Sequence, residues 1–228
     1  MGRPAHYSLD IVTRSRSLLK HLMPHVRKGL PDDKRFGGSL STTFLLAMAS
    51  PMIALPVERI FKPNDGKDVV ADDRGLNNGL SDEVKKVFDG DTKFRETSFF
   101  AKAKPDWRLV RDVKPPFNIA EWGNDKVFER LENDEGKEKA AKVTARFMML
   151  HLRNAIAHGG IIYLDKEGHQ NQSTAAMLGF VSAPIGLKCL HISRVSEDDF
   201  HRFLLAWSDW IEKSGVNDAL SSSPAIAA

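Results

Sequence analysis

Residues 137–160 read KEKAAKVTARFMMLHLRNAIAHGG, and this stretch decides the fold of the chain. Apolar side chains are distributed nearly all round the helical wheel of this segment. The pattern predicts one long helix over Lys137–Ala157, buried on most sides or placed at a subunit contact. Gly159 and Gly160 follow directly and predict that the helix ends there, which leaves the preceding side chain at an exposed end.

The end of this predicted helix carries three polar groups that are suited to phosphodiester chemistry: Arg153, Asn154 and His158. A guanidinium can hold a phosphate, an imidazole can take or give a proton near neutral pH, and an amide can orient the ring or contact a ribose. Ideal helical geometry places Arg153 about 140° from His158. A shared site therefore requires a distorted last turn, or an Arg153 of one subunit that meets His158 of another. The structural alternative is an arginine that pairs with a carboxylate and a histidine that caps carbonyls.

The spacing Arg-x4-His is not specific by itself, because it also occurs at Arg16–His21 and Arg146–His151. Three features favour the Arg153 copy. Asn154 follows the arginine, His158 lies at a predicted helix end where a ligand can reach it, and the next residues begin a new element. The other two copies lie within helical patterns.

This motif at the end of a buried helix resembles the signature of the HEPN superfamily, of which many members are metal-independent ribonucleases. The resemblance implies Arg153, Asn154 and His158 as catalytic residues. Arg146 and His151 are added as substrate-binding candidates on the same helix, with a structural or interface role for His151 as the alternative. The implied reaction is cleavage of RNA with the 2′-hydroxyl as nucleophile, and it requires no cofactor and no metal.

The resemblance also implies partners. HEPN domains usually dimerise along the motif helix, so a homodimer through Lys137–Ala157 is expected. RNA is the expected substrate, the expected role is that of a toxin or an antiviral defence effector, and an antitoxin or regulatory protein is a further candidate partner. A non-catalytic HEPN interaction or dimerisation module in such a system is the alternative function. A third possible function is that of a nucleotide-binding accessory domain. The sequence has no P-loop and no Gly-rich fingerprint, which counts against this function.

The rest of the sequence predicts a mainly α fold, namely a HEPN-like helical bundle with a small antiparallel β-sheet inserted before the last helix. The last helix is expected to begin at the capping box Ser196–Asp199, with Trp207 and Trp210 as core and rim aromatics. Pro24 is expected to end or bend the first helix. The other main elements predicted in chain order are helices at Ser8–Val26 and Leu40–Phe61, and strands at Ile161–Asp165, Ala175–Val181 and Leu187–Val195.

The predicted domain organisation is a single domain over residues 1–215 with a loop-rich insertion at about 62–136. Within that insertion, Pro105–Gly123 is expected to wrap the surface and pack by its aromatic residues. The stretch Lys62–Gly79 is expected to form a mobile loop, and residues 216–228 a disordered tail.

Composition limits the class of protein. The chain has 228 residues, a net charge of +3 and a pI near 8.9, which is compatible with nucleic-acid contact without requiring it. Cys189 is the one cysteine, which excludes a disulfide within the chain and a cysteine-based zinc site. These features and the lack of an apolar signal core predict a cytoplasmic protein. Leu40–Val57 is interpreted as a buried, proline-interrupted helix and not as a membrane span.

Overall fold

A computed structural model of the chain describes residues 7–61, 78–88, 90–103, 105–114, 125–170, 175–183 and 188–216. The predicted tail at 216–228, except for its first residue, and most of the predicted loop at Lys62–Gly79 lie outside these residues. The helices are α1 Tyr7–Lys28, α2 Ser41–Ala49, α3 Asn78–Phe88, α4 Ser98–Ala103, α5 Asp125–Glu132, α6 Asp134–Lys142, α7 Ala145–Ala157 and α8 Glu197–Ile211. The mainly α fold is confirmed. Pro24 does not end α1, which continues past it to Lys28.

A small antiparallel sheet precedes the last helix, as expected. Its strands are β1 Arg108–Val113, β2 Ile161–Leu164, β3 Met177–Ser182 and β4 Leu190–Ser196, in the order β1-β4-β3-β2. Ser196 then caps α8, because its hydroxyl accepts the backbone N–H of Asp199 at 3.0 Å. The three predicted strands correspond to β2, β3 and β4 with shifted ends.

The fourth strand corrects the prediction that Pro105–Gly123 wraps the surface. Residues 108–113 form β1, which pairs with β4 at the edge of the sheet, and Trp107 beside it is 1% exposed. The two other aromatic residues of that segment, Phe117 and Trp122, lie outside the described residues. The segment was also expected to pack by its aromatic residues, and Trp107 does so against Phe94, Phe200 and Phe203 in the core.

The predicted helix Lys137–Ala157 is two helices. Val143 and Thr144 both have extended backbone, with ψ of 155° and 153°, and they separate α6 from α7. The hydroxyl of Thr144 accepts the backbone N–H of Phe147 at 3.2 Å and caps α7. A β-branched pair disfavours the helix interior and a threonine favours the cap, and both effects act at this position.

The second predicted helix contains two irregular turns. Helix α2 continues through the π-helical turns Ser50–Ala54 and Val57–Phe61; the first contains Pro51 and the second follows Pro56. A missing N–H and ring crowding at each proline explain why the regular ladder fails there. Within the described residues, the helix Ser41–Ile60 is long and apolar enough to cross a bilayer by length and composition alone.

The core gathers around α8 and the apolar side of α7. Trp207 is fully buried, its Nε1 donates to the carbonyl of Met52 at 2.7 Å, and its ring stacks on Trp210 at 5.3 Å. The core positions of these tryptophans are thereby confirmed. The fully buried residues of α7 are Ala145, Met148, Met149, Leu152 and Ala155. The apolar face of α7 is therefore occupied by contacts within the chain.

The described part of residues 62–136 contributes to this core. It supplies α3, α4, β1 and α5, and its buried side chains include Val84, Phe94, Phe99 and Trp107. Phe94 contacts Phe203 of α8 at 5.8 Å between ring centroids. The interpretation of this segment as an insertion relative to a minimal domain stays a prediction.

Candidate functional site

The C-terminal end of α7 is closed by two glycines in a Schellman arrangement. Gly159 has φ of +70°, its N–H donates to Ile156, and the N–H of Gly160 donates to the carbonyl of Ala155 at 2.8 Å. His158 is the capping residue, with φ of −105° and ψ of 8°, and it is exposed. The predicted helix end is therefore confirmed. The helix stops one residue before His158, so ideal helical spacing does not apply to that side chain.

Arg153 is held on the same end of the helix by two neighbours. Its Nε forms an ion pair with Oε1 of Glu58, and its Nη1 donates to Oδ1 of Asn154 at 2.7 Å. The side chain is 19% exposed. A guanidinium has five N–H groups, so these two contacts use only part of its donors. Within the described residues, Nη2 makes no further hydrogen bond, and it remains available to an anion.

Glu58 was not identified from the sequence. It lies in the second π-helical turn, Val57–Phe61, directly after Pro56. The only signal was a charged residue next to an apolar, proline-interrupted segment, which sequence patterns assign to a surface position. The structure instead brings it to α7, because the packing of α2 and its irregular turns against α7 decides which way the carboxylate points.

The motif residues are only partly brought together. Asn154 contacts Arg153 through its side chain and His158 through its backbone, because the N–H of His158 donates to the Asn154 carbonyl at 3.0 Å. Within the described part of the chain, the imidazole of His158 makes no hydrogen bond or ion pair. The arrangement presents an exposed proton-transfer group next to a half-buried cation whose position is fixed by a carboxylate and an amide.

His151 does not reach the surface. It is 2% exposed, and its ring nitrogens contact the hydroxyls of Ser182 at 2.6 Å and Ser193 at 2.8 Å. Burial, with a smaller contribution from His191, lowers its pKa from 6.5 to about 3. These contacts do not support a substrate-binding role, and they fit the structural alternative. Arg146, the other accessory candidate, is partly buried.

The two remaining Arg-x4-His copies have structural explanations. Arg16 forms ion pairs with Asp209 at 2.6 Å and with Glu212, and so ties α1 to the end of α8. His21 is exposed in the middle of α1. In the second copy His151 is buried, as described above. Of the three Arg-x4-His copies, the one at Arg153–His158 is thus the copy whose histidine lies at an exposed helix end.

A helical bundle with a small sheet before its last helix, and with this motif at the end of α7, defines a HEPN-type domain. A family model described as HEPN pEK499 p136 matches residues 1–218, and the chain belongs to this family. The match includes residues 62–136, the segment that was predicted to be a loop-rich insertion. No curated protein and no solved structure matches the chain with significance.

Proposed function

We propose that this protein is an endoribonuclease of the HEPN type that works without a metal ion. The single observation that carries the proposal is the position of the motif: His158 is exposed at the end of α7, and Arg153 and Asn154 lie in contact on the preceding turn. The acting groups are an imidazole and a guanidinium, which can transfer protons and stabilise charge on a phosphate without a cation.

In the proposed reaction, the 2′-oxygen of a ribose attacks the adjacent phosphorus as its proton is removed. The bond from phosphorus to the 5′-oxygen breaks, and that oxygen takes up a proton. The products are a 2′,3′-cyclic phosphate and a 5′-hydroxyl. His158 supplies one of the two proton transfers, the free donors of Arg153 bind the phosphate oxygens, and Asn154 keeps the guanidinium oriented.

The proposal includes a homodimer, in which RNA lies between two copies of the motif. The apolar face of α7 is buried within the protomer, so a contact along that face would require unfolding of the core. The contact would instead form at the exposed end of α7, where Ala157, His158 and Gly159 are exposed. We place the activity in a cytoplasmic toxin or antiviral effector, which an antitoxin or regulatory protein would restrain.

The first test is cleavage of transfer and messenger RNA by the purified protein in EDTA. We expect cleavage with cyclic phosphate ends, and a loss of about 100-fold or more in Arg153→Ala and in His158→Ala, since a positioned acid or base is worth at least that much. His21→Ala, which changes an exposed histidine of α1, serves as the matched control and should keep full activity. Intact RNA with the wild type, or equal cleavage by all variants, would exclude the proposal.

A mixing experiment tests whether the site is shared between protomers. If Arg153 of one chain acts with His158 of its partner, a mixed dimer of the two inactive variants contains one intact site. Random mixing should then restore roughly a quarter of the wild-type activity. If both residues act within one protomer, mixing restores none, and the composite site is wrong while the nuclease proposal stands.

A second candidate function is a non-catalytic interaction module, and one observation favours it. The pairing of Arg153 with Glu58 gives the arginine a structural role that needs no substrate. This function predicts no RNA cleavage and a measurable coupling between the two residues. A double-mutant cycle with Glu58→Ala and Arg153→Ala, followed by urea unfolding, should give a coupling free energy of about 1 kcal/mol for this partly exposed pair. No coupling would remove the structural role of the pair.

A further inference from the structure

The pairing of β1 with β4 contains an irregularity that brings three metal-binding residue types together. Val110 pairs with Ile192 and Val113 with Leu190, so two residues of β1, Arg111 and Asp112, lie opposite the single residue His191. This is a β-bulge, and bulges redirect side chains at sheet edges. Asp112 has φ of +60°, an uncommon conformation for a residue other than glycine, although aspartate tolerates it better than most.

The consequence of the bulge is a cluster of Asp112, Cys189 and His191. One ligand atom from each residue, a carboxylate oxygen, the thiol sulfur and an imidazole nitrogen, lies within 4.8 Å of the other two. The cluster extends from the surface into the protein: Asp112 is exposed, Cys189 is half-buried and His191 is 4% exposed. An ion can therefore reach it from solvent, while the imidazole is held by the sheet.

The distance between the sulfur and carboxylate ligand atoms fits a tetrahedral ion. Typical Zn–S and Zn–O bonds at a tetrahedral angle place sulfur and oxygen about 3.6 Å apart. In the structure, Sγ of Cys189 lies 3.7 Å from Oδ1 of Asp112, as a thiol that donates to a carboxylate. The backbone N–H of Asp112 donates to Nδ1 of His191 at 3.5 Å, a long bond that a metal can replace.

We propose that Asp112, Cys189 and His191 form a zinc-binding site, with water as the fourth ligand. Thiolate, imidazole and carboxylate are the donors that zinc takes in proteins, and the Cys189 proton leaves when the ion binds. The proposal goes against the exclusion of a cysteine-based zinc site from sequence, which considered only sites made of several cysteines. It is independent of the nuclease proposal, since none of its ligands belongs to the Arg153 motif.

The charges around the cluster allow this site. Arg111 opposes a cation, but its Cζ lies 4.6 Å above the ring of Phe147, which holds the guanidinium on that aromatic face. Asp112 supplies negative charge to the cluster.

Titration of tag-free, reduced protein with Co²⁺ tests the site, because a thiolate ligand gives cobalt a charge-transfer band in the near ultraviolet. Cys189 is the one cysteine, so the band can come from no other residue. We expect one cobalt per chain and displacement by Zn²⁺. The band should vanish in Cys189→Ser. Affinity should fall roughly tenfold or more in Asp112→Asn and His191→Ala, since even groups that only orient ligands are worth that much. His21→Ala should bind as the wild type does.

A second readout does not depend on the folding of any variant. Zn²⁺ should slow the reaction of the wild-type Cys189 thiol with a disulfide reagent, and EDTA should restore the rate. Several results would overturn the proposal: no charge-transfer band, a band that survives Cys189→Ser, unchanged affinity in both the Asp112 and His191 variants, or one cobalt per two chains. The last result would show a site between two thiols of different molecules.

Discussion

The protein is expected to lose about 2 kcal/mol of unfolding free energy between pH 6.5 and pH 5 through His151 alone. The ring is buried between Ser182 and Ser193, and burial lowers its pKa to about 3. A neutral ring donates through one nitrogen and accepts through the other, which two hydroxyls can satisfy. A protonated ring would carry an unpaired charge into the core.

The sign of this pH dependence follows from the number of protons that the folded and unfolded states bind. In the unfolded chain His151 binds a proton below about pH 6.5, whereas in the folded chain it does so only below about pH 3. Between these values the unfolded state holds more protons, so stability falls with falling pH by about 1.4 kcal/mol per unit. Above pH 6.5 His151 does not reduce the unfolding free energy, and below pH 3 its contribution no longer changes with pH. Between these two pH values the total loss of unfolding free energy through His151 is at most about 5 kcal/mol.

Urea unfolding at several pH values between 7 and 5 measures this slope. His151→Gln removes this titration and keeps a hydrogen-bonding side chain, so its stability should fall less steeply with falling pH than that of the wild type. His25→Gln, at an exposed position of α1, is the matched control and should keep the wild-type slope. His191 and His201 also have lowered pKa values, so they account for part of the slope of stability against pH that remains in His151→Gln. An unchanged slope in His151→Gln would show that this histidine is not the source.

The sequence predicted the elements whose signals are local. The glycine pair after His158 specified a helix end, and the hydrogen bonds of Gly159 and Gly160 confirm it. Ser196 was recognised as a cap from its own neighbourhood. These features depend on a few consecutive residues and on backbone conformation, which sequence patterns report well.

The features that the sequence did not reveal depend on contacts between distant segments. Strand β1 forms because it pairs with β4, and the sequence around Arg108 contains no signal that predicts this pairing. Glu58 meets Arg153 only after α2 has packed on α7. His151 shares a spacing with a candidate motif, yet two serines from β3 and β4 fix it inside the protein. Long-range packing overrides local pattern in each of these cases.

Gly160→Ala is expected to destabilise the protein by about 3 kcal/mol or more, because there is no room for a methyl group. A Cβ at this position would lie 2.1 Å from the carbonyl oxygen of Val181, a backbone atom that cannot rotate away. The N–H of Val181 donates to the Gly160 carbonyl at 2.7 Å, and the N–H of Gly160 donates to Ala155 at 2.8 Å. Relief of the clash would separate β3 from the end of α7 and weaken both hydrogen bonds.

Gly159→Ala is the matched control, since it places the same methyl group one residue earlier. Nothing lies within 4 Å of a Cβ at Gly159, but its φ of +70° is unfavourable for alanine and should cost about 1–2 kcal/mol. Urea unfolding of both variants separates the steric effect from the conformational one. Equal losses would show that the approach of β3 does not restrict Gly160. The larger loss at Gly160 would establish that the sheet fixes the end of α7, and with it the position of His158.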